Sequence, residues 1–308
     1  MEKQPDSPEV FLSLRLRRTL AAAAAIMMGV WILSHSLTAA AREERSLIGG
    51  PDSGITNLLL IGQDSRQEDS RARSDCIILC SLQPSAGKVT IVSFLRDLYV
   101  RIPGHDSDRI NAAYAYGGME LLKQTMLENF SLHIDGCIEA DFAHFPGIID
   151  TLGGVTLELR QDEADAINKA VPGDLTEGTA TLTGEQALAY SRIRNLDPDG
   201  DFSRTHRQRT LLMTLLDSYR DAGLLTILSL AADIIPMIST DLDQRQLLLL
   251  AAKLFPLLKE PDISSHRIPA EGSFAYSNVR GMEVLTIDDA AVQAQLRELL
   301  TGPAPDAA

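Results

Sequence analysis

Cysteine is scarce, with Cys76, Cys80 and Cys137 alone in 308 residues. An odd count leaves at least one thiol unpaired or paired between chains, so the fold is no disulfide scaffold and must rest on its core. Cys76 and Cys80, four apart in an apolar run, are about 13 Å apart if extended and read as buried small hydrophobes. Lysine is nearly as sparse, with five beyond residue 50 against 17 arginines. Basic charge as a whole is in deficit: 28 Lys+Arg face 42 Asp+Glu, a formal net charge of -14. Such a chain repels the nucleic-acid backbone, which argues against a nucleic-acid partner. The deficit belongs to residues 51–308, which are net -15, since residues 1–50 carry six basic and five acidic side chains. HExxH, GxSxG, GxxxxGK(S/T), GxGxxG and CxxC are all absent, as are internal repeats and low-complexity tracts. Protease, lipase and nucleotide-binding readings lose their main support. What is present is 45% apolar, enough to bury the core of one or two domains.

Leu20 to Leu33 is an unbroken apolar run, extended to Ala41 and stopped by Arg42-Glu43-Glu44-Arg45. As a helix its 22 residues span about 33 Å, enough for the hydrocarbon of a bilayer. Arg15, Arg17 and Arg18 precede it, which places the N-terminus inside. The expected organisation is a cytoplasmic segment at 1–19, a transmembrane anchor at 20–41, a linker at 42–54, an extracytoplasmic domain at 55–302 and a disordered tail at 303–308. A cleaved signal peptide competes, because Thr38 to Ala41 offers small residues for cleavage. The length of the full span favours the retained anchor, and both alternatives put residues 46–308 outside.

Beyond Asn57 strands and helices mix. NLLLIG (57–62), CIILCSL (76–82) and KVTIVSFL (88–95) read as strands, with the turn PSAG between the last two. A helix is expected over Gly118–Phe130, strands at 137–142 and 155–159, and between those strands a helix ended by Gly153-Gly154. Thr183 and Gln186 form a capping box that opens GEQALAYSRI. Helices follow at Arg207–Asp221, Leu224–Ile238 and Leu247–Leu258, the last two interrupted by Pro236 and Pro256. Such apolar helices are most often core, and they are too short to span a membrane.

Arginine placement points to chemistry. Residues 64–75, 93–97 and 190–209 hold nine of the 17 arginines beyond residue 50 and none of the five lysines. Guanidinium is a rigid fork that grips phosphate or carboxylate at two points, so several converging on one group would hold a phosphate or pyrophosphate. If the three strands form an antiparallel meander, the end of the first, the start of the second and the end of the third share one edge. That edge collects GQDSR (62–66), RSD (73–75) and SFLRD (93–97). Asp64, Asp75 and Asp97 then lie near Arg66, Arg73 and Arg96, a mixture that suits Mg²⁺ bound beside a phosphate. Taken one by one, each of these residues reads more simply as a solvated turn charge or a loop-holding pair.

In order along the chain, these segments resemble the LytR-CpsA-Psr family of cell-wall glycopolymer ligases. The resemblance rests on Asp64 and Arg66 in the GxDSR-type loop, Arg73-Ser74-Asp75, Arg96-Asp97, Asn111-Ala112-Ala113-Tyr114 and Gly117-Gly118. Further on it includes DTLGGV (150–155), LTGEQALAYSR (182–192), Arg192-x-Arg194 and Asp201-x-x-Arg204-x-x-Arg207-Gln208. SFLRD departs from it, carrying Leu95 where many relatives have proline. The resemblance implies an α/β fold, a single three-layer α/β/α domain with a mixed sheet behind one N-terminal transmembrane helix. It also implies a groove for the pyrophosphate of a polyprenyl-linked glycopolymer, a tunnel for the isoprenoid, and transfer to a peptidoglycan sugar hydroxyl. Asp64 and Asp75 would bind Mg²⁺ or adjoin it, and one or other of them would be the base. Arg73, Arg96, Arg192, Arg194, Arg204 and Gln208 would hold the pyrophosphate, with Asp201, Asp97, Arg66 and Arg207 orienting them. A pyrophosphatase on the same site, or a non-catalytic membrane sensor, remains open at this point.

Overall fold

A computed structural model describes residues 47–50, 53–63, 73–259 and 262–301. Three β-rich runs form β1 (Thr56–Gln63), β2 (Ser74–Gln83) and β3 (Lys88–Phe94). They pair as the expected antiparallel meander, and Gly87, at φ 66°, closes the Pro84–Ala86 turn between the last two. A ribbon of two-residue strands, β4 (Tyr99–Val100) and β5 (Asp108–Arg109), leads into α1 (Ile110–Phe130). The chain continues through β6 (Gly136–Asp141), α2 (Phe145–Thr151), β7 (Val155–Leu159), α3 (Gln161–Ala170), β8 (Gly178–Leu182), α4 (Gly184–Ser191) and α5 (Asp201–Ser218). It ends with α6 (Leu224–Ile234), β9 (Ser239–Thr240), α7 (Gln244–Lys259), β10 (Asp262–Ile268), β11 (Phe274–Val279), β12 (Met282–Ile287) and α8 (Asp289–Thr301).

The central sheet has the order β10-β3-β2-β1-β6-β9 and is mixed: β1/β6 and β3/β10 run parallel, the other pairs antiparallel. Strand alternation sends Leu59 and Ile61 to the face covered by α1 and α8, where Leu122, Met126, Phe130 and Leu296 are buried. Leu58 and Leu60 face the other side, against Leu212 and Leu216 of α5 and Leu250 and Leu254 of α7. With both faces covered, the strands read as near-continuous apolar runs, because neither face is left for polar residues. A smaller cluster joins the β7–β8 hairpin to α3, α4 and Leu211 of α5.

Three boundaries differ from the sequence reading. Helix α1 begins at Ile110, before the glycine pair that suggested its start. Gly118 there has φ 66° and ψ -153°, so two helical stretches abut at a kink. Helix α5 begins at Asp201, six residues before the periodic apolar pattern, because its first turns are dominated by charged side chains. Pro256 does not interrupt α7: burial of Leu257 and Leu258, 2% and 3% exposed, carries the helix past it.

The anchor expected at 20–41 and the tail at 303–308 lie outside the described residues. Among the described residues no helix is long and apolar enough to cross a membrane. Ile48, in the stretch assigned to the linker, is fully buried and bridges Leu132. All three cysteines are free, and burial pushes the Cys80 and Cys137 thiols up to about 12.

Candidate functional site

The meander brings Gln63, Ser74 and Phe94 to one sheet edge. Arg96, just past β3, places Nη1 2.5 Å from Asp75 Oδ1 and Nε 3.7 Å from both Asp97 Oδ2 and Asp201 Oδ2. Arg204, in the first turn of α5, donates from Nη2 to the Asp75 carbonyl at 3.1 Å and lies 2.8 Å from Asp201 Oδ1. Arg194 Nη2 is 4.0 Å from Asp75 Oδ2, and Arg109 Nε is 3.3 Å from Asp97 Oδ1. Four arginines distant in sequence thus share three carboxylates. Exposure grades outward, from 2% for the Arg204 side chain to 23% for Arg96 and 42% for Arg194.

The electrostatics are those of a cationic site. Burial alone would lower Arg96, but Asp201, Asp75 and Asp97 outweigh it and hold the guanidinium above its ordinary value. Burial pushes Arg204 below its ordinary value; Asp201 opposes this, while Arg96 and Arg194 add to it. Arg204 is therefore a buried cation crowded by two others, and an anion in the same place would relieve all three.

On the α5 and α7 side of the sheet lies a cavity of about 470 Å³, walled by β1, β2, α2, α5, α6 and α7. Its lining is apolar apart from Ser191, Gln208 and Tyr219, and includes Gly62 and Cys76. Gly62 and Cys76 directly precede Gln63 and follow Asp75, so the cavity reaches the arginine cluster. A Cβ on Gly62 would stand 2.9 Å from the Cys76 Cβ, which is why the strands close here only around glycine. Buried Gln208 Oε1 has no hydrogen-bond partner. Arg192 lies over the ring of Phe142, 4.7 Å from its centroid, and Phe142 also lines the cavity.

The structure therefore gathers Asp75, Arg96, Asp97, Arg194, Asp201 and Arg204, with Arg192 and Gln208 beside the cavity. Arg73 is described and exposed at the start of β2. Asp64 and Arg66 lie outside the described residues. Arg207 is not part of the gathering. It turns into the smaller core, its Nε 2.8 Å from Glu163 Oε1 and its Nη2 2.5 Å from Asp197 Oδ2. Among the described residues no group of three or more His, Cys, Asp or Glu side chains is arranged to hold a metal. Asp75 still offers an oxygen: Oδ1 is taken by Arg96, while Oδ2 has Arg194 only at 4.0 Å. One or two carboxylates beside phosphate oxygens suffice for Mg²⁺.

Sequence reasoning missed Arg109, which the β4–β5 ribbon swings onto Asp97, since no spacing marks it. It also missed Glu139 on β6, 5% exposed, which accepts hydrogen bonds from Tyr114 and Gln63. The alternating CIEADF run hints at an inward acid there, but not at its partners.

Comparison with known proteins identifies the family. The sequence matches the LytR_cpsA_psr family over residues 33–300. It is 36% identical over 203 residues to the polyisoprenyl-teichoic acid–peptidoglycan teichoic acid transferase TagU of Oceanobacillus iheyensis, covering 64% of this chain and 62% of that relative. The fold superposes on TagT bound to LIIa-WTA with a TM-score of 0.67 at 27% identity, covering 82% of this chain and 94% of that one. It superposes on YwtF (TagT) with bound octaprenyl pyrophosphate lipid with a TM-score of 0.62 at 25% identity, covering 82% and 94%.

Proposed function

This chain belongs to the LytR-CpsA-Psr family, and from that premise we propose that it transfers a polyprenyl-pyrophosphate-linked anionic glycopolymer to a sugar hydroxyl of peptidoglycan, releasing polyprenyl phosphate. The observation that carries the reading is the junction of an apolar slot with a cluster of arginines at Gly62, Cys76 and Gln208. A ligand that is hydrocarbon at one end and pyrophosphate at the other fits that junction. The relatives' names and the lipid bound to YwtF (TagT) supply the class.

In this mechanism Arg204, Arg96 and Arg194, with Arg73 and Arg192, bind the pyrophosphate oxygens and stabilise the charge that grows on the leaving phosphate. Asp201 and Asp97 hold Arg96 and Arg204 in place, and Gln208 lies between head and tail. Asp75, with Asp64, would hold Mg²⁺, which supplies charge neutralisation on the phosphoryl oxygens. The acceptor hydroxyl attacks the polymer-side phosphorus, the bond to the bridging oxygen breaks, and the hydroxyl proton passes to Asp64 or Asp75. The domain works outside the cell behind the anchor at 20–41, in a three-layer α/β/α arrangement.

The test is to incubate the full chain with a synthetic polyprenyl-pyrophosphate glycan and peptidoglycan fragments, with Mg²⁺ or chelator, and identify products by mass. Metal-dependent glycan–peptidoglycan conjugate is expected. Free glycan alone would make the protein a pyrophosphatase, and binding without product a sensor.

A further inference from the structure

Three of the exposed large apolar side chains stand on one helical hairpin: Leu224 at 39%, Leu225 at 82% and Leu249 at 53%. They belong to α6 and α7, whose opposite faces bury Ile227, Leu247 and Ala251 against the cavity. Leucines at these exposures face water for no structural gain, and several on one hairpin mark an interaction surface.

This hairpin is less acidic than its domain, since over residues 224–259 Arg245, Lys253 and Lys259 balance Asp233, Asp241 and Asp243. Helix α7 carries Arg245, Lys253 and Lys259 and no carboxylate, and α6 carries Asp233 alone, in a region that is net -15 overall. Arg245, Leu249 and Lys253, spaced four apart, form one exposed stripe along α7. On α6 the exposed stripe is Leu225, Ser229, Ala232 and Asp233, with that one carboxylate at its C-terminal end. The lysines meet only neutral acceptors: Lys253 Nζ is 3.4 Å from Thr56 Oγ1, and Lys259 Nζ donates to the Ala222 carbonyl at 2.8 Å. Among the described residues, none of the three cations has a carboxylate partner.

Protruding leucines beside cations that hold no ion-pair partner among the described residues are the chemistry of a helix lying in a membrane surface, with apolar side chains among the acyl chains and cationic groups at lipid phosphates. We infer that the α6–α7 hairpin docks in the surface of an anionic phospholipid bilayer. The contact sets the cavity wall against lipid, so a chain-bearing substrate would enter without crossing water; that consequence rests on the transferase reading, whereas the contact itself does not. A second copy of the chain is the competing cover, but a two-fold pair through this face would bring its basic stripes together.

The experiment places the full chain in phosphatidylcholine vesicles with or without phosphatidylglycerol, with doxyl-labelled lipid as quencher. Bimane is attached in separate Leu225→Cys, Leu249→Cys and Tyr276→Cys variants, the last being 75% exposed on β11 and away from the hairpin. The parent chain, with Cys76, Cys80 and Cys137 only, is the blank. Quenching at 225 and 249 should exceed that at 276 by about threefold or more, and rise further with phosphatidylglycerol. Arg245→Gln with Lys253→Gln should abolish the rise. Equal quenching at 225 and 276 would overturn the inference, as would labels at 225 that cross-link between copies and ignore the doxyl lipid. A chain that docks but transfers nothing would overturn the proposed function alone.

Discussion

Arg204 and Arg207 are three residues apart on α5, and their fates differ. Arg204 shares its face with Gln208, four residues on, and meets the sheet edge; Arg207 diverges from Gln208 by about 100° and meets Glu163 and Asp197. Two opposite predictions follow. Arg204 is a cation disfavoured by burial and by its neighbours, so Arg204→Met should leave thermal stability unchanged or raised while transfer falls about tenfold to a hundredfold, read by calorimetry and by product mass. Arg207→Ala strands buried Glu163, 5% exposed, and should cost about 3–5 kcal/mol, a Tm drop of roughly 10 °C. Equal loss of activity per folded molecule in both would erase the distinction. Acid should reproduce the second effect. The hydrogen bond from Arg207 holds the Asp197 carboxyl below its ordinary value, so its contribution is complete above the unfolded pKa of about 3.9 and fades as pH falls through the lower folded value. Unfolding midpoints followed below about pH 4 should therefore drop less in Asp197→Asn than in the parent.

At the scale of elements, the capping box was visible in the sequence because its chemistry is local. Thr183 accepts from the Gln186 backbone at 3.4 Å, and the Gln186 side chain accepts from the Thr183 N–H at 3.0 Å. Thr183→Ala should cost about 1 kcal/mol, seen as a denaturant midpoint shift with an unchanged slope. Gly184→Ala should cost more, about 1–3 kcal/mol, since its Cβ would stand 2.0 Å from the Pro146 carbonyl oxygen where α4 crosses α2. The meander and the turn closed by Gly87 were legible for the same reason, as alternation and turn residues act over a few positions. What was not legible depends on distance along the chain. β10 joins β3 in parallel across nearly 170 residues, and its DISSHRI carries no alternation to betray it. The start of α5 was hidden because its first turns serve the arginine cluster and lack an apolar stripe. Arginine enrichment showed that an anion site exists, but only the helix register sorted Arg207 from Arg204.

For the whole molecule the decisive relation is between slot and cluster, which meet at one sheet edge. A slot that merely fills a packing defect and a slot that holds an isoprenoid predict different kinetics. Leu212 on α5 lines the cavity and is only partly buried, so Leu212→Trp should narrow it at an overpacking cost of about 1–3 kcal/mol. The arginines are untouched by this change. With a long polyprenyl donor, KM should rise about tenfold, equivalent to roughly 1.4 kcal/mol of lost binding. With a donor whose prenyl chain is cut to one or two units, KM and kcat should both stay near the parent values, because that donor already forgoes the slot. A rise of the same size for both donors would mean that the substitution acts through the fold and that the tail lies elsewhere. A lower kcat for the long donor alone would mean that tail binding in the slot helps seat the pyrophosphate among Arg96, Arg194 and Arg204, the sheet edge passing binding energy from hydrocarbon to phosphorus.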